Sequence, residues 1–168
     1  MTTRIFFRCA PVLFAITASL AGTTPSANAQ FNAPKFLKAK PAVPKSVAAG
    51  KPFTVTIAVE IDKPYHIQSN PTKAEYIATE LKLEAMKGFK AGKATYPKAT
   101  EATISGDKLS VYEGKVAFKI DVTPDKSVKP GKYPLSFTLH YQGCNDKACF
   151  PPSDTQIKTV VVVAKAAK

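Results

Sequence analysis

Three stretches of this chain alternate apolar and polar residues with a period of two. Phe53, Val55, Ile57, Val59 and Ile61 are interleaved with Thr54, Thr56, Ala58 and Glu60. Val116, Phe118, Ile120 and Val122 repeat the pattern, as do Tyr133, Leu135, Phe137, Leu139 and Tyr141. Successive side chains of a strand point to opposite faces, so each run describes a strand with one buried and one wet side. Shorter candidates are Leu81–Leu83, Leu109–Tyr112 and Ile157–Val163. Turn signals separate them at Asp62-Lys63-Pro64, Ser69-Asn70-Pro71, Ser105-Gly106-Asp107, Glu113-Gly114 and Pro130-Gly131. Helical period is nearly absent, and Pro71 to Thr79 has room for no more than a short turn. The expectation is an all-β chain of antiparallel strands stacked as a β-sandwich.

The N-terminus reads differently. Arg4 and Arg8 precede an apolar run from Pro11 to Ala21, too short for the roughly 20 residues that a bilayer span requires. Ala27-Asn28-Ala29 then offers a small-residue cleavage site before Gln30. Residues 1–29 are therefore expected to be a secretory signal peptide, removed on export, rather than a retained anchor. Cys9 leaves with it, and Arg8 before it makes a poor lipoprotein site. Residues 30–51, rich in lysine, alanine and proline, show no hydrophobic period and read as an extended or partly ordered lead-in. The folded domain is expected over residues 52–168, periplasmic or secreted, with no stable membrane insertion.

The chain carries 24 basic against 12 acidic side chains. A basic balance can signal nucleic acid or anionic lipid. Both arginines lie in the leader, however, and arginine is what makes bidentate contacts to phosphate and guanine. The lysines are scattered rather than clustered. Nucleic acid is not expected as a partner; a solvated, soluble surface accounts for the charge.

With Cys9 removed, an even pair remains, as exported proteins favour. It stands in Tyr141-Gln142-Gly143-Cys144-Asn145-Asp146-Lys147-Ala148-Cys149-Phe150-Pro151-Pro152. Four residues separate the cysteines, and Asn145 and Asp146 are turn formers. In a hairpin with such a loop the flanking residues face each other, with Cα atoms about 4.5–5.5 Å apart, within reach of a disulfide. If alternation continues beyond Tyr141, Cys144 lies on the outward face and the tip is exposed. The bond could be a structural staple or a redox switch. A metal site built from Cys144, Cys149 and His66 is a third reading, weakened by its single candidate third ligand. His140 shares the outward face with Cys144, but four residues of strand put them about 13 Å apart. No nucleophile elbow, phosphate loop or paired metal motif is present. No cofactor is expected.

The run Tyr-Gln-Gly-Cys, a short polar loop, then Cys-Phe-Pro-Pro resembles the active-site hairpin of the N-terminal periplasmic domain of the DsbD family. Pro64-Tyr65-His66-Ile67-Gln68-Ser69-Asn70, Tyr76-Ile77-Ala78-Thr79, Tyr96-Pro97 and Val111-Tyr112-Glu113-Gly114 resemble further landmarks of that domain, in order, from about Pro52 to Val163. The resemblance implies an immunoglobulin-like sandwich and a catalytic pair, Cys144 and Cys149. That pair would pass electrons to oxidised periplasmic thioredoxin-like proteins, with cytochrome c biogenesis among the processes served. Cys149 would form the mixed disulfide and Cys144 would resolve it. A cap loop is implied over Thr103, Ile104, Ser105, Gly106, Asp107 and Lys108. Tyr65, His66, Tyr112, Tyr141 and Phe150 are expected around the pair. The loop is one residue shorter than in the best-known member. The cap lacks that member's shielding aromatic, which leaves Ile104 or Tyr112 for the task. The transmembrane and thioredoxin-like parts of full-length DsbD have no counterpart in this sequence, and a separate membrane protein is one candidate electron donor. The alternative is a non-catalytic binding module with a structural hairpin disulfide.

Overall fold

The computed structural model describes residues 34–165. The expected signal peptide therefore lies outside the described residues. Strands numbered in chain order form three four-stranded sheets. The first runs β1 (Leu37–Ala42), β3 (Phe53–Ile61), β9 (Gly114–Pro124), β6 (Phe89–Thr95); the second, β2 (Val47–Ala48), β12 (Ser153–Ala164), β10 (Gly131–Tyr141), β5 (Glu80–Leu83). A smaller third sheet runs β11 (Gly143–Cys144), β4 (His66–Gln68), β8 (Asp107–Tyr112), β7 (Thr100–Ile104). Neighbours are antiparallel except β2 and β12. Among the described residues there is no α-helix.

The alternating runs became the centre of the sandwich. β3 pairs with β9 so that Ile57 faces Phe118, and β10 pairs with β12 so that Phe137 faces Ile157. Val55, Ile57 and Phe118 from one sheet and Leu135, Phe137, Leu139 and Val161 from the other are fully buried in one cluster. Full burial of an aliphatic or aromatic side chain contributes about 1.5–3 kcal/mol relative to leaving it exposed, so these inward rows hold the sandwich together.

The sandwich begins earlier than Pro52. Residues 37–42, expected as part of a lead-in, form β1 and add to the edge of β3, with Leu37 opposite Ile61. Leu37, Ala39 and Pro41 do take the more buried side, but alanine and proline give too weak a contrast with Lys38 and Lys40 to show as a period. Proline is tolerated there because β1 is an edge strand. Phe36, just before it, is buried. β6 went unanticipated for a related reason: only Phe89 is fully buried, and its register with β9 shifts between Ala91 and Ala94. The segment from Pro71 to Thr79 holds turns and bends only.

Candidate functional site

Cys144 and Cys149 are joined by a disulfide, S–S 2.02 Å, and face each other in an antiparallel bridge. The loop between them is closed on itself. Asn145 Oδ1 accepts from the backbone N–H groups of Lys147 and Ala148, each at 2.9 Å, and Asn145 N–H donates to Ala148 O. This is the Asx turn that an asparagine after a strand favours. The Cα atoms stand 3.9 Å apart, closer than expected of a ladder pair.

The exposed tip expected from alternation is corrected at one cysteine. Cys144 is fully buried, while Cys149 is half-buried. The period breaks at Gln142, where the chain leaves the second sheet for the third, and Gly143 and Cys144 are buried consecutively. β11 then pairs with β4, placing Gly143 opposite Ile67 and Cys144 opposite His66. Cys144 packs in a small apolar cluster with Ile104, Leu109 and Val111, flanked by Tyr76, Ala102 and Cys149. The two residues of one bond thus differ in burial.

The register of β4 and β11 sets His66 opposite Cys144, but its side chain turns to Glu113. Its Nε2 lies 3.3 Å from Glu113 Oε2, and its buried Nδ1 has no hydrogen-bond partner. Among the described residues, no group of three His, Cys, Asp or Glu side chains is placed to hold a metal. His140 is engaged elsewhere, with Nδ1 2.6 Å from Asp154 Oδ1.

Residues 103–108 form the tip of the β7–β8 hairpin, with Thr103 opposite Lys108 and Ile104 opposite Asp107. Ser105 and Gly106 make the turn with φ of 51° and 91°, the left-handed pair that a two-residue hairpin loop takes. The tip meets the cysteine loop directly. Ser105 N–H donates to Asp146 O at 3.3 Å, and Ser105 Oγ donates to Lys147 O at 2.5 Å. Of the two candidates for a shielding side chain, Ile104 packs in the Cys144 cluster. Tyr112 does not: its ring stands edge-on to Phe118 at 5.3 Å, in the main core, and its hydroxyl accepts from Asn70 N–H at 3.0 Å. Burial pushes the Tyr112 hydroxyl pKa up, partly offset by its backbone bonding to Asn70.

Tyr65, Tyr141 and Phe150 are brought together by a residue the sequence reading passed over. Phe36 stacks on Tyr65 at 4.5 Å, meets Tyr141 edge-on at 6.0 Å and lies 6.4 Å from Phe150. The ring covers Gly143 so closely that a Cβ there would fall 2.3 Å from Phe36 Cζ. Glycine is required at that position for close approach rather than for turn geometry.

Gln68 belongs to the Pro64–Asn70 segment. It is fully buried, and its amide Nε2 lies 3.3 Å from Cys144 Sγ and 3.8 Å from Cys149 Sγ. Its Oε1 accepts from Thr72 Oγ1 at 2.9 Å, and its backbone carbonyl accepts from Thr79 Oγ1. Gln142 also braces the hairpin, donating to Phe150 O and accepting from Ile77 N–H. The signal available in sequence was a glutamine inside a short strand, where a buried amide must find partners.

Residues 33–161 match the family model of the N-terminal part of the thiol:disulfide interchange protein DsbD. The chain belongs to the DsbD N-terminal domain family. Among solved structures it is similar to the N-terminal periplasmic domain of ScsB from Proteus mirabilis, with TM-score 0.56 and 11% identity, covering 74% of this chain and 46% of that one. It thus spans less than half of that ScsB chain. It is also similar to the Neisseria meningitidis DsbD N-terminal domain in the reduced form, with TM-score 0.47 and 19% identity, covering 76% of this chain and 89% of that one. A third likeness is to the complex between the DsbD and PilB N-terminal domains of the same organism, with TM-score 0.45 and 18% identity, covering 73% and 80%. No curated protein sequence matches significantly. The expected immunoglobulin-like sandwich is the fold of this DsbD N-terminal-like domain. Among the described residues no helix is long and apolar enough to cross a membrane.

Proposed function

We propose that this DsbD N-terminal-like domain is a periplasmic thiol–disulfide exchange protein of the protein-disulfide reductase type, passing electrons from its Cys144/Cys149 dithiol to oxidised thioredoxin-like partners. The Cys149 thiolate attacks the partner's disulfide, forming a mixed disulfide and releasing one partner thiolate. The Cys144 thiolate then attacks Cys149 Sγ, releasing the second. The partner gains two electrons, and the Cys144–Cys149 disulfide remains to be reduced again by an electron donor. Cytochrome c biogenesis is one process such reduced partners would serve. Residues 1–29 direct export and are removed in the process, so that the mature chain begins at Gln30.

The observation that supports this assignment of roles is the unequal burial of the two residues: Cys149 is half-buried and Cys144 is enclosed. An attacking thiol must be reached by the partner, whereas a resolving thiol needs only to reach its neighbour. The hairpin tip at Ser105 and Gly106, bonded to the cysteine loop, is the cap that has to yield when a partner docks.

Trapping tests the reading. Cys144→Ala should accumulate a covalent adduct with an oxidised periplasmic thioredoxin-like protein, visible on a non-reducing gel, and Cys149→Ala should not. The reverse pattern would exchange the roles. The enclosure of Cys144 favours a second reading, an inert structural staple. Capture by neither variant, with a reduction potential below about −300 mV, would establish the staple instead.

A further inference from the structure

The Gln68 amide is fully enclosed and points at the cysteine pair. Its orientation is fixed by what surrounds it. A disulfide sulfur can only accept, and weakly, so the NH2 end must face the sulfurs. The hydroxyl of Thr72 donates to the oxygen end at 2.9 Å. The backbone of Gln68 is held as well, its N–H donating to Gln142 O at 3.0 Å and its carbonyl accepting from Thr79.

This arrangement is poorly matched to the oxidised state. A buried amide that trades water for a weak sulfur acceptor recovers little of its desolvation cost. It is well matched to a thiolate. Hydrogen bonds to charged groups are roughly twice as strong as those between neutral ones. An enclosed cysteine such as Cys144 needs that help, because apolar surroundings disfavour the thiolate, and only the thiolate attacks.

We propose that Gln68 is a third catalytic residue of this site: its amide N–H donates to Cys144 Sγ in the reduced protein and holds that sulfur as the thiolate that resolves the mixed disulfide. Thr72 acts through Gln68 as a positioning residue, fixing the amide by its hydroxyl. This inference rests on the exchange reading above. No electron is gained or lost at Gln68. The amide stabilises charge on Cys144 Sγ until that sulfur bonds to Cys149 Sγ and the leaving thiolate carries the charge away.

The reduced protein treated with an aromatic disulfide such as Ellman's reagent tests this. One coloured thiolate is released when the mixed disulfide forms at the pair, and a second when the other cysteine resolves it. Gln68→Met keeps the volume and removes the donor. The pH midpoint of the second release should rise by about one unit, the weight of one charge-assisted hydrogen bond, and by more than that of the first. At neutral pH the thiolate fraction falls about tenfold, but a more basic thiolate is about threefold more nucleophilic, so the second release should slow about three- to fourfold. Thr72→Val should move both readings the same way by less, and it carries the test if Gln68→Met does not fold. An unchanged midpoint for the second release, in Thr72→Val and in any folded Gln68→Met, would overturn the role of Gln68 while leaving the exchange reading intact. A wild-type protein that releases no second thiolate would instead sink the exchange reading itself.

Discussion

β3 pairs with β9 over nine consecutive positions, and every inward side chain of β3 is buried and apolar. β4 and β11, three and two residues long, sit in a sheet that buries a glutamine beside the cysteine pair. The large sandwich is held by transfer of apolar surface from water. The small sheet leans on side-chain hydrogen bonds from Gln68, Ser69, Asn70, Thr79 and Gln142, on a small apolar cluster and on one covalent bond. Apolar burial does not register the redox state of a disulfide. Polar bracing around the sulfurs does, so a domain built this way can exchange thiols at one end without risking its core.

The largest effect that would test the division is expected in the core. Phe118→Ala removes a fully buried ring that meets Tyr96 and Tyr112 edge-on and should cost about 3–5 kcal/mol in denaturant unfolding. The loss should be equal in oxidised and reduced protein. A loss that depended on redox state would mean that the two regions are not separable.

Gly143→Ala strikes the boundary between them. A Cβ 2.3 Å from Phe36 Cζ forces the ring from its stack on Tyr65, and overpacking of this kind costs about 1–3 kcal/mol. The hairpin should also loosen, so that dithiothreitol reduces the bond faster. Unfolding at wild-type denaturant concentration would show that the Phe36 ring swings aside freely.

Much of the sandwich was legible in the sequence because half-buried antiparallel strands print their period directly. β3, β9 and β10 did so. β1 and β6 did not, since edge strands bury few large side chains; Ala39, Pro41 and Ala91 carry almost no hydrophobic contrast. At the site, the spacing of the cysteines was enough to pair them. The enclosure of Cys144 was not legible, because the chain changes sheet after Gln142 and the alternation that reads so well through β10 then puts Cys144 on the outward face. Phe36 lay in a segment without a period, and its partners Tyr65, Tyr141 and Phe150 are distant in sequence.

Reduction of the disulfide should have a smaller, local effect. Closing so short a loop restricts the unfolded chain little, and its loss should cost about 2 kcal/mol on loop-closure grounds. Circular dichroism should still report the folded sandwich. Hydrogen exchange should quicken at the β4 and β11 amides and stay unchanged at β3 and β9. Quickened exchange throughout would make the bond a staple of the whole domain.

The smallest effect concerns Tyr112, which belongs to both regions: its ring packs on Phe118 and its hydroxyl accepts from Asn70 N–H beside β4. Burial raises its pKa in the folded state, which therefore holds the phenolic proton more tightly than the unfolded chain does. The resulting stability is fully present below about pH 10, the ordinary tyrosine value, and is lost as pH rises through the raised folded value. The slope this one group adds cannot exceed about 1.4 kcal/mol per pH unit. Tyr112→Phe keeps the ring contact and leaves Asn70 N–H without its acceptor, so it should cost about 1 kcal/mol at neutral pH. Above pH 10 its stability should fall less steeply than that of the wild type, and the two curves of unfolding free energy against pH should converge. Parallel curves through the alkaline range would show that Tyr112 ionises as freely in the folded domain as in water, and that the seam between core and small sheet is wet.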